Sequence, residues 1–268
     1  WSGTRPLIQN TVWKFMARGI EEVVPEDLVS IPGGPLVSVI GDYDGFVHED
    51  IRMPAPRGRH VTLVSGEMVG LGSTTGLAFA PKTGKLAKVA KTRDVKLKYN
   101  TVPIGPVQYS SDTGKTWTVE TYTTSPPANL YGGKVALSAN GAITLWMPQQ
   151  GTTMYRYANA AWSIVAGINF WGRPLADPVE DHVFYVYNRS DGYMYASSDG
   201  GASFSRKGWV GSSLFGTARA MPGRQGDLWV PIARVDESGN RSGALMRSKD
   251  GGATFNAVSQ VGYCEAVS

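Results

Sequence analysis

Ser197-Ser-Asp-Gly-Gly-Ala-Ser-Phe204 decides the fold, because the chain writes this pattern three times. Ser110-Ser-Asp-Thr-Gly-Lys-Thr-Trp117 and Ser248-Lys-Asp-Gly-Gly-Ala-Thr-Phe255 share its form, Ser-x-Asp-x-Gly-x-Thr/Ser-aromatic. The Ser and Asp side chains can bond the backbone of their own turn, Gly permits the tight bend, and the aromatic packs back beneath it. Each octad follows a short run that reads as a strand: Val107-Gln-Tyr109, Tyr193-Met-Tyr-Ala196 and Ala244-Leu-Met-Arg247. A degenerate fourth unit, Met154-Tyr-Arg-Tyr-Ala-Asn-Ala-Ala-Trp-Ser163, keeps the strand and the aromatic but has lost the Asp and Gly. The closing aromatics Trp117, Trp162, Phe204 and Phe255 lie 45, 42 and 51 residues apart. A repeat of about 40–50 residues with four strands per unit marks a β-propeller blade.

The segments between the octads agree. Lys134-Val-Ala-Leu-Ser138 and Ala142-Ile-Thr-Leu-Trp-Met147 flank Ala139-Asn-Gly141, a hairpin signal. Val183-Phe-Tyr-Val-Tyr187 precedes Asn188-Arg-Ser-Asp191, and Gly226-Asp-Leu-Trp-Val-Pro-Ile232 precedes Asp236-Glu-Ser-Gly-Asn240. Helical periodicity is confined to a short stretch around Trp13 to Ala17. With 33 Gly, 16 Pro and only 18% charged residues, the composition suits many short strands joined by tight turns. The sequence therefore predicts an all-β chain forming a single propeller domain over residues 1–268. Dividing its length by the repeat gives roughly six four-stranded blades. Only about a dozen residues follow the last octad, so either a strand from elsewhere closes the ring or the chain is a fragment.

Charge and cysteine content narrow the function classes. The net charge is +4. The densest basic cluster, Lys82, Lys85, Lys88, Lys91, Arg93, Lys96 and Lys98, alternates with apolar residues and reads as solvated strand faces, not a nucleic-acid patch. The single Cys264 excludes an internal disulfide and reads as a small packed residue. No apolar run is long enough to cross a membrane, and no His/Cys/Asp cluster has metal-ligand spacing, so no cofactor is expected. Trp1-Ser-Gly-Thr4 carries no signal peptide and reads as the start of a mature or excised piece. Asn188-Arg-Ser190 and Asn240-Arg-Ser242 are glycosylation acceptors in a eukaryotic secretory host.

Any chemistry is expected in Val37-Ser-Val-Ile-Gly-Asp-Tyr-Asp-Gly-Phe-Val-His-Glu-Asp50. It reads as a strand, a turn bearing Asp42 and Asp44 and closed by Gly45, and a second strand. A rigid sheet would thus aim at least one carboxylate outward, the placement that binding and catalytic groups favour. The same residues also make an ordinary structural turn.

The octads resemble Asp boxes, or BNR repeats, found in sialidases, sortilin-type receptors and several glycosidases. They therefore point to a propeller without an activity. The N-terminal third narrows the resemblance. Gly19-Ile-Glu-Glu22, Asp27-Leu-Val-Ser-Ile-Pro-Gly-Gly-Pro-Leu-Val-Ser38 and Gly41 to Asp50 are similar to the start of the second propeller of glycoside hydrolase family 74. Gly72-Ser-Thr-Thr-Gly-Leu77, Ala176-Asp177 before Phe184-Tyr185, and Pro222-Gly-Arg-Gln-Gly-Asp-Leu-Trp229 follow in the family's order.

The resemblance implies two seven-bladed propellers facing each other across an open cleft. It implies inverting hydrolysis of the β-1,4-glucan backbone of xyloglucan, with one catalytic aspartate from each propeller. The Asp of the family's Gly-Asp-x-x-Gly-Phe motif maps onto Asp42, with general base as the favoured role. Its partner belongs to an Arg-Thr-Asp-x-Gly-Gly motif of an N-terminal propeller, and no such motif occurs in these residues. The chain also stops before the strand pair and Gly-rich tail that close the family's propeller. The implied partners are the polysaccharide and that N-terminal propeller, with no nucleic acid and no membrane, in a secreted enzyme.

Sugar rings stack their apolar faces on exposed aromatics. Trp13, Phe46, Trp146, Trp171 and Trp209 are candidate platforms, Asp44 a candidate substrate contact, and His48 a candidate orienter of a carboxylate. Trp117 and Trp162 are expected in the core. Glu21 and Glu22 precede the motif and either perturb Asp42 or sit as surface charges. Two rival classes stay open. A sialidase needs an arginine triad and an Arg-Ile-Pro opening that is absent before the first octad. A non-catalytic propeller would bind carbohydrate or protein and owe nothing to Asp42.

Overall fold

The computed structural model describes residues 23–258, apart from 93, 99, 100, 120–122, 126–128 and 237. Among the described residues every regular element is a strand. The first sheet runs β1 (Pro25–Ser30), β2 (Leu36–Ile40) and β3 (Phe46–His48) from the axis outward. A hairpin follows, β4 (Val61–Val64) and β5 (Glu67–Val69). The second blade is built from β6 (Thr74–Phe79) and β7 (Leu86–Ala90), then a small hairpin β8 (Asp94–Lys96) and β9 (Thr101–Pro103), then β10 (Val107–Ser110) and β11 (Thr116–Val119). Strand β4 pairs parallel to β11, so the hairpin extends this sheet to six strands.

Three four-stranded meanders complete the fold. They are β12 (Lys134–Leu137), β13 (Thr144–Met147), β14 (Tyr155–Ala158) and β15 (Ala161–Ile164); β16 (Pro174–Ala176), β17 (Phe184–Tyr187), β18 (Tyr193–Ser197) and β19 (Ser205–Trp209); and β20 (Arg219–Ala220), β21 (Leu228–Val235), β22 (Arg241–Ser248) and β23 (Asn256–Ala257). The described residues thus hold five blades, not the roughly six that length suggests. Dividing by the repeat counts as blade the residues spent on the β8–β9 hairpin and on the long links after β3 and β11.

Both faces of an inner blade are covered by its neighbours, so its strands are apolar throughout. All of β13 and all of β17 are buried. One apolar core fills each gap between blades: Val37, Leu77 and Trp117 in the first, Val135, Trp146 and Trp162 in the second, Leu145, Met154 and Phe184 in the third, and Tyr185, Met194 and Val230 in the fourth. Trp117 and Trp162 are core residues, as their place in the repeat predicts.

The three octads close by one hydrogen-bond scheme. The hydroxyls of Ser110, Ser197 and Ser248 each donate to the Asp two residues on at 2.7 Å, and each accepts from the Gly four residues on at 2.9 Å. The Asp in turn accepts from the hydroxyl of Thr116, Ser203 or Thr254 at 2.6–2.7 Å. A Cβ on Gly201 would stand 2.6 Å from the Leu145 side chain, so this turn presses directly on the core of the preceding blade. In the degenerate unit Asn159 and Ala160 both take positive φ and make the β14–β15 turn without the Asp and Gly.

Antiparallel strands alternate their connections between two ends. The octads lie at one end of the blades. The β2–β3 turn, the β17–β18 loop and the links from one blade to the next lie at the other. The five innermost strands β1, β6, β12, β16 and β20 line an axial cavity of about 810 Å³.

Candidate active site on the end opposite the octads

The turn Gly41 to Gly45 is held from several sides. Gly41 N–H donates to the Val24 carbonyl at 2.8 Å, and the Ser73 hydroxyl donates to the Gly41 carbonyl. The Thr74 hydroxyl sits 2.8 Å from the Tyr43 carbonyl and 2.5 Å from that of Asp44. Gly45 has φ +125°, and a Cβ there would stand 2.0 Å from the Ser38 carbonyl oxygen, so only glycine fits. Strands β2 and β3 and the start of β6 therefore fix the backbone on either side of Asp42.

The two aspartates of this turn point to opposite environments. Asp44 is fully buried; one oxygen accepts from the Leu71 amide at 2.8 Å and the other from Lys88 Nζ at 2.8 Å. Lys88 Nζ also lies 3.2 Å from His60 Nδ1 and 4.7 Å from the centre of the Trp117 ring. His60 Nε2 is 3.1 Å from the Ser38 carbonyl, so Nε2–H donates there while Nδ1 accepts from the ammonium, which assigns a neutral ring. Burial and then the Lys88 charge lower the His60 pKa to about 3, against a small opposing push from the Ser38 hydrogen bond. Burial also lowers Lys88 to about 8, with the Asp44 carboxylate resisting that fall.

Asp42, by contrast, is exposed at the apex. Among the described residues no hydrogen bond or ion pair occupies its carboxylate. Tyr43 beside it is exposed and carries the Arg59 guanidinium 5.4 Å from its ring centre.

The other sequence candidates scatter. Phe46 and His48 are half-buried on β3 with ring centres 6.0 Å apart, and His48 Nε2 lies 3.2 Å from the Ser38 hydroxyl. Trp171, in the link from β15 to β16, is 39% exposed and donates its indole N–H to the Pro148 carbonyl at 3.1 Å. Trp209, at the end of β19, is 56% exposed. Both belong to the same end as Asp42, with Tyr131, Leu214 and Phe215 also exposed there. A groove of about 170 Å³ beneath Trp171 is lined by Tyr187, Arg189 and Thr217 among others.

Three expectations need correction. Trp146 is no platform: it is fully buried, it donates to the Gly132 carbonyl at 2.7 Å, and it packs against Tyr155 and Trp162. Asp44 is no substrate contact, because Lys88 and the Leu71 amide consume it. Lys88 is not on a solvated face, because β7 is buried on both sides. Lys88 and His60 are the site residues that sequence reading missed. The one local signal was that Ala87 and Val89 flank Lys88 with no second polar residue. Trp13, Glu21, Glu22 and Cys264 lie outside the described residues. Among the described residues no group of three His, Cys, Asp or Glu side chains is placed to hold a metal ion.

No protein-family model matches the chain. Individual relatives do. A xyloglucanase of a Paenibacillus species is 33% identical over 259 residues, covering 94% of this chain and 23% of its own. The crystal structure of a Niastella koreensis glycoside hydrolase family 74 enzyme superposes with a TM-score of 0.73 at 28% identity, over 92% of this chain and 32% of that one. The chain belongs to glycoside hydrolase family 74. A further relative, a xyloglucanase of Acetivibrio thermocellus, is 31% identical over 220 residues, 80% of this chain and 24% of its own. The chain therefore spans about a quarter of the length of these curated relatives.

Proposed function

We propose that the complete protein hydrolyses the β-1,4-glucan backbone of xyloglucan with inversion, and that Asp42 is one of its two catalytic aspartates. The observation that carries this reading is the contrast within one turn. Asp44 is buried and neutralised by Lys88, while Asp42 stands exposed on a clamped backbone, unpaired among the described residues, at the end of the propeller that also exposes Trp171 and Trp209. Inversion needs two carboxyl groups about 6.5–9.5 Å apart, one to protonate the leaving oxygen and one to activate water from the opposite face. Asp42 supplies one, as general base. The second comes from an N-terminal propeller facing this one, so residues 1–268 form the C-terminal propeller of a two-propeller, secreted enzyme.

The xyloglucanase names of the relatives support the substrate. The exposed indoles support a polysaccharide track, since aromatic faces stack on sugar rings.

The test is release of reducing ends from xyloglucan by the full-length protein, with a sialoside as control. Asp42→Asn is expected to lower the rate about 10²–10⁴-fold, the usual worth of a general acid or base. Proton NMR of the first product should show the inverted anomer. Wild-type-like turnover by Asp42→Asn refutes the catalytic assignment, and turnover of the sialoside alone refutes the substrate.

A further inference from the structure

The first strand of each blade begins at the Asp42 end, so the residues that open these strands ring the mouth of the axial cavity. They are unusually charged for the middle of a propeller: Glu26 and Asp27 on β1, Lys134 on β12, Arg173 just before β16, and Arg219 on β20. Most of these charges are spoken for. Asp27 is buried, and its Oδ2 accepts from Arg173 at 2.6 Å and from the Leu77 amide at 3.1 Å. Lys134 Nζ lies 3.5 Å from Glu26 Oε2, 3.4 Å from the Glu26 carbonyl, and also donates to the Thr75 carbonyl.

Arg219 is left over. It is half-buried, and among the described residues its guanidinium makes no hydrogen bond or ion pair. Its nitrogens are not among the sealed, unpartnered polar atoms, and the residue lines the cavity together with Thr217. The charges that act on it oppose each other: Arg173 repels Arg219 and Asp27 attracts it. A guanidinium held partly out of water beside a second cation, with five unused donors in a fixed fork, matches the geometry of a bidentate oxyanion.

We propose that the mouth of the axial cavity on the Asp42 end binds a small oxyanion, a carboxylate or sulfate-like group, with Arg219 as its main ligand. An anion there would match the one charge of the ring that is unpaired among the described residues and would occupy the Arg219 donors. The site is separate from the Asp42 turn, whose residues do not line this cavity. Its test is therefore independent of whether xyloglucan is the substrate.

Two sources of the group are distinguished by two titrations of the full-length protein. Calorimetry with sodium sulfate, against sodium chloride at matched ionic strength, reads a free inorganic anion. Sodium glucuronate reads the carboxylate of an acidic sugar. Saturable binding of either is expected, and Arg219→Gln should weaken it at least tenfold while Arg219→Lys retains part of it. In crystals soaked in selenate, the anomalous peak should fall within hydrogen-bond reach of Arg219. The proposal is overturned by absence of saturable binding of both anions, by unchanged binding in Arg219→Gln, or by selenate seated elsewhere. Should Arg219→Gln not fold, the wild-type titrations and the selenate position decide by themselves.

Discussion

Lys88 Nζ lies 2.8 Å from the Asp44 carboxylate, and neither side chain has any exposed surface. The pair joins the second strand of one blade to the turn of the blade before it, directly under the exposed Asp42. Burying both charges costs desolvation that their attraction only roughly offsets, so the pair is poor evidence of net stability. Its effect is to specify where the turn sits. Removing one partner leaves an uncompensated buried charge, which costs about 3–5 kcal/mol. Lys88→Met is expected to lower stability by that amount in denaturant unfolding. Asp44→Asn combined with Lys88→Met should recover most of the loss, because Asn still accepts from the Leu71 amide. A double variant as unstable as Lys88→Met alone would show that the ion pair is not what the lysine supplies.

The neutral His60 beside this pair predicts a pH dependence. Its pKa is lowered to about 3 in the fold, by burial first and the Lys88 charge second, from the ordinary value of 6.5. Between these values the unfolded chain takes up a proton that the folded chain refuses. Stability therefore falls as pH drops from 6.5 towards 3, by at most about 1.4 kcal/mol per pH unit. From pH 7 to pH 4.5 the wild type should lose about 2–3 kcal/mol through His60 alone. His60→Gln keeps a donor for the Ser38 carbonyl and an acceptor for Lys88, so unfolding of this variant should show a flatter profile over that range. The octad aspartates act lower down. The Thr254 hydroxyl, then its amide, draw Asp250 down to about 2 from the usual 3.8, so its contribution is whole above pH 4 and fades only as pH falls towards 2. An identical slope in wild type and His60→Gln between pH 7 and 4.5 would remove His60 from the acid response.

Two tryptophans on successive stretches of the chain should respond in opposite ways. Trp146 is sealed in the core between the second and third blades, and Trp146→Ala should cost about 3–5 kcal/mol of stability. Trp171 is 39% exposed, and among the described residues the one hydrogen bond of its side chain runs from the indole N–H to the Pro148 carbonyl. Trp171→Ala should change the thermal midpoint little and weaken binding of xyloglucan oligosaccharides, read by calorimetry as a several-fold rise in Kd. Unchanged oligosaccharide affinity in Trp171→Ala would take that residue off the substrate path.

What the sequence discloses divides along the range of the interactions. The octads are legible because their chemistry closes within eight residues: Ser197, Asp199 and Ser203 satisfy one another and the turn between them. The β12–β13 hairpin is legible for the same reason, from Asn140-Gly141. Trp146 and Lys88 were misplaced because alternation along a strand assumes one wet face, and an inner propeller strand has none. Nothing within β7 says that Lys88 will meet an aspartate 44 residues earlier. The motif Gly41-Asp-Tyr-Asp-Gly-Phe46 located the turn, but only the packing around it separates its two carboxylates.

That separation gives the most decisive pair of substitutions. Asp42 is exposed and, among the described residues, its carboxylate makes no hydrogen bond or ion pair, so Asp42→Asn should leave the thermal midpoint within about 1 °C of wild type, as neutral surface changes do. Its loss should appear in kcat, about 10²–10⁴-fold, with little change in KM. Asp44→Asn strips Lys88 of its counter-charge and should lower stability, while activity at a temperature where the variant is folded should fall less than in Asp42→Asn. Gly45→Ala supplies the control for the backbone. Its Cβ would be driven 2.0 Å from the Ser38 carbonyl, so the turn must move, and stability and kcat should fall together. The three variants thus predict three patterns: rate without stability, stability more than rate, and both. If Asp44→Asn abolishes turnover in a protein that remains folded while Asp42→Asn retains it, the reacting carboxylate is the one that Lys88 holds. The turn would then have to open during catalysis to expose it.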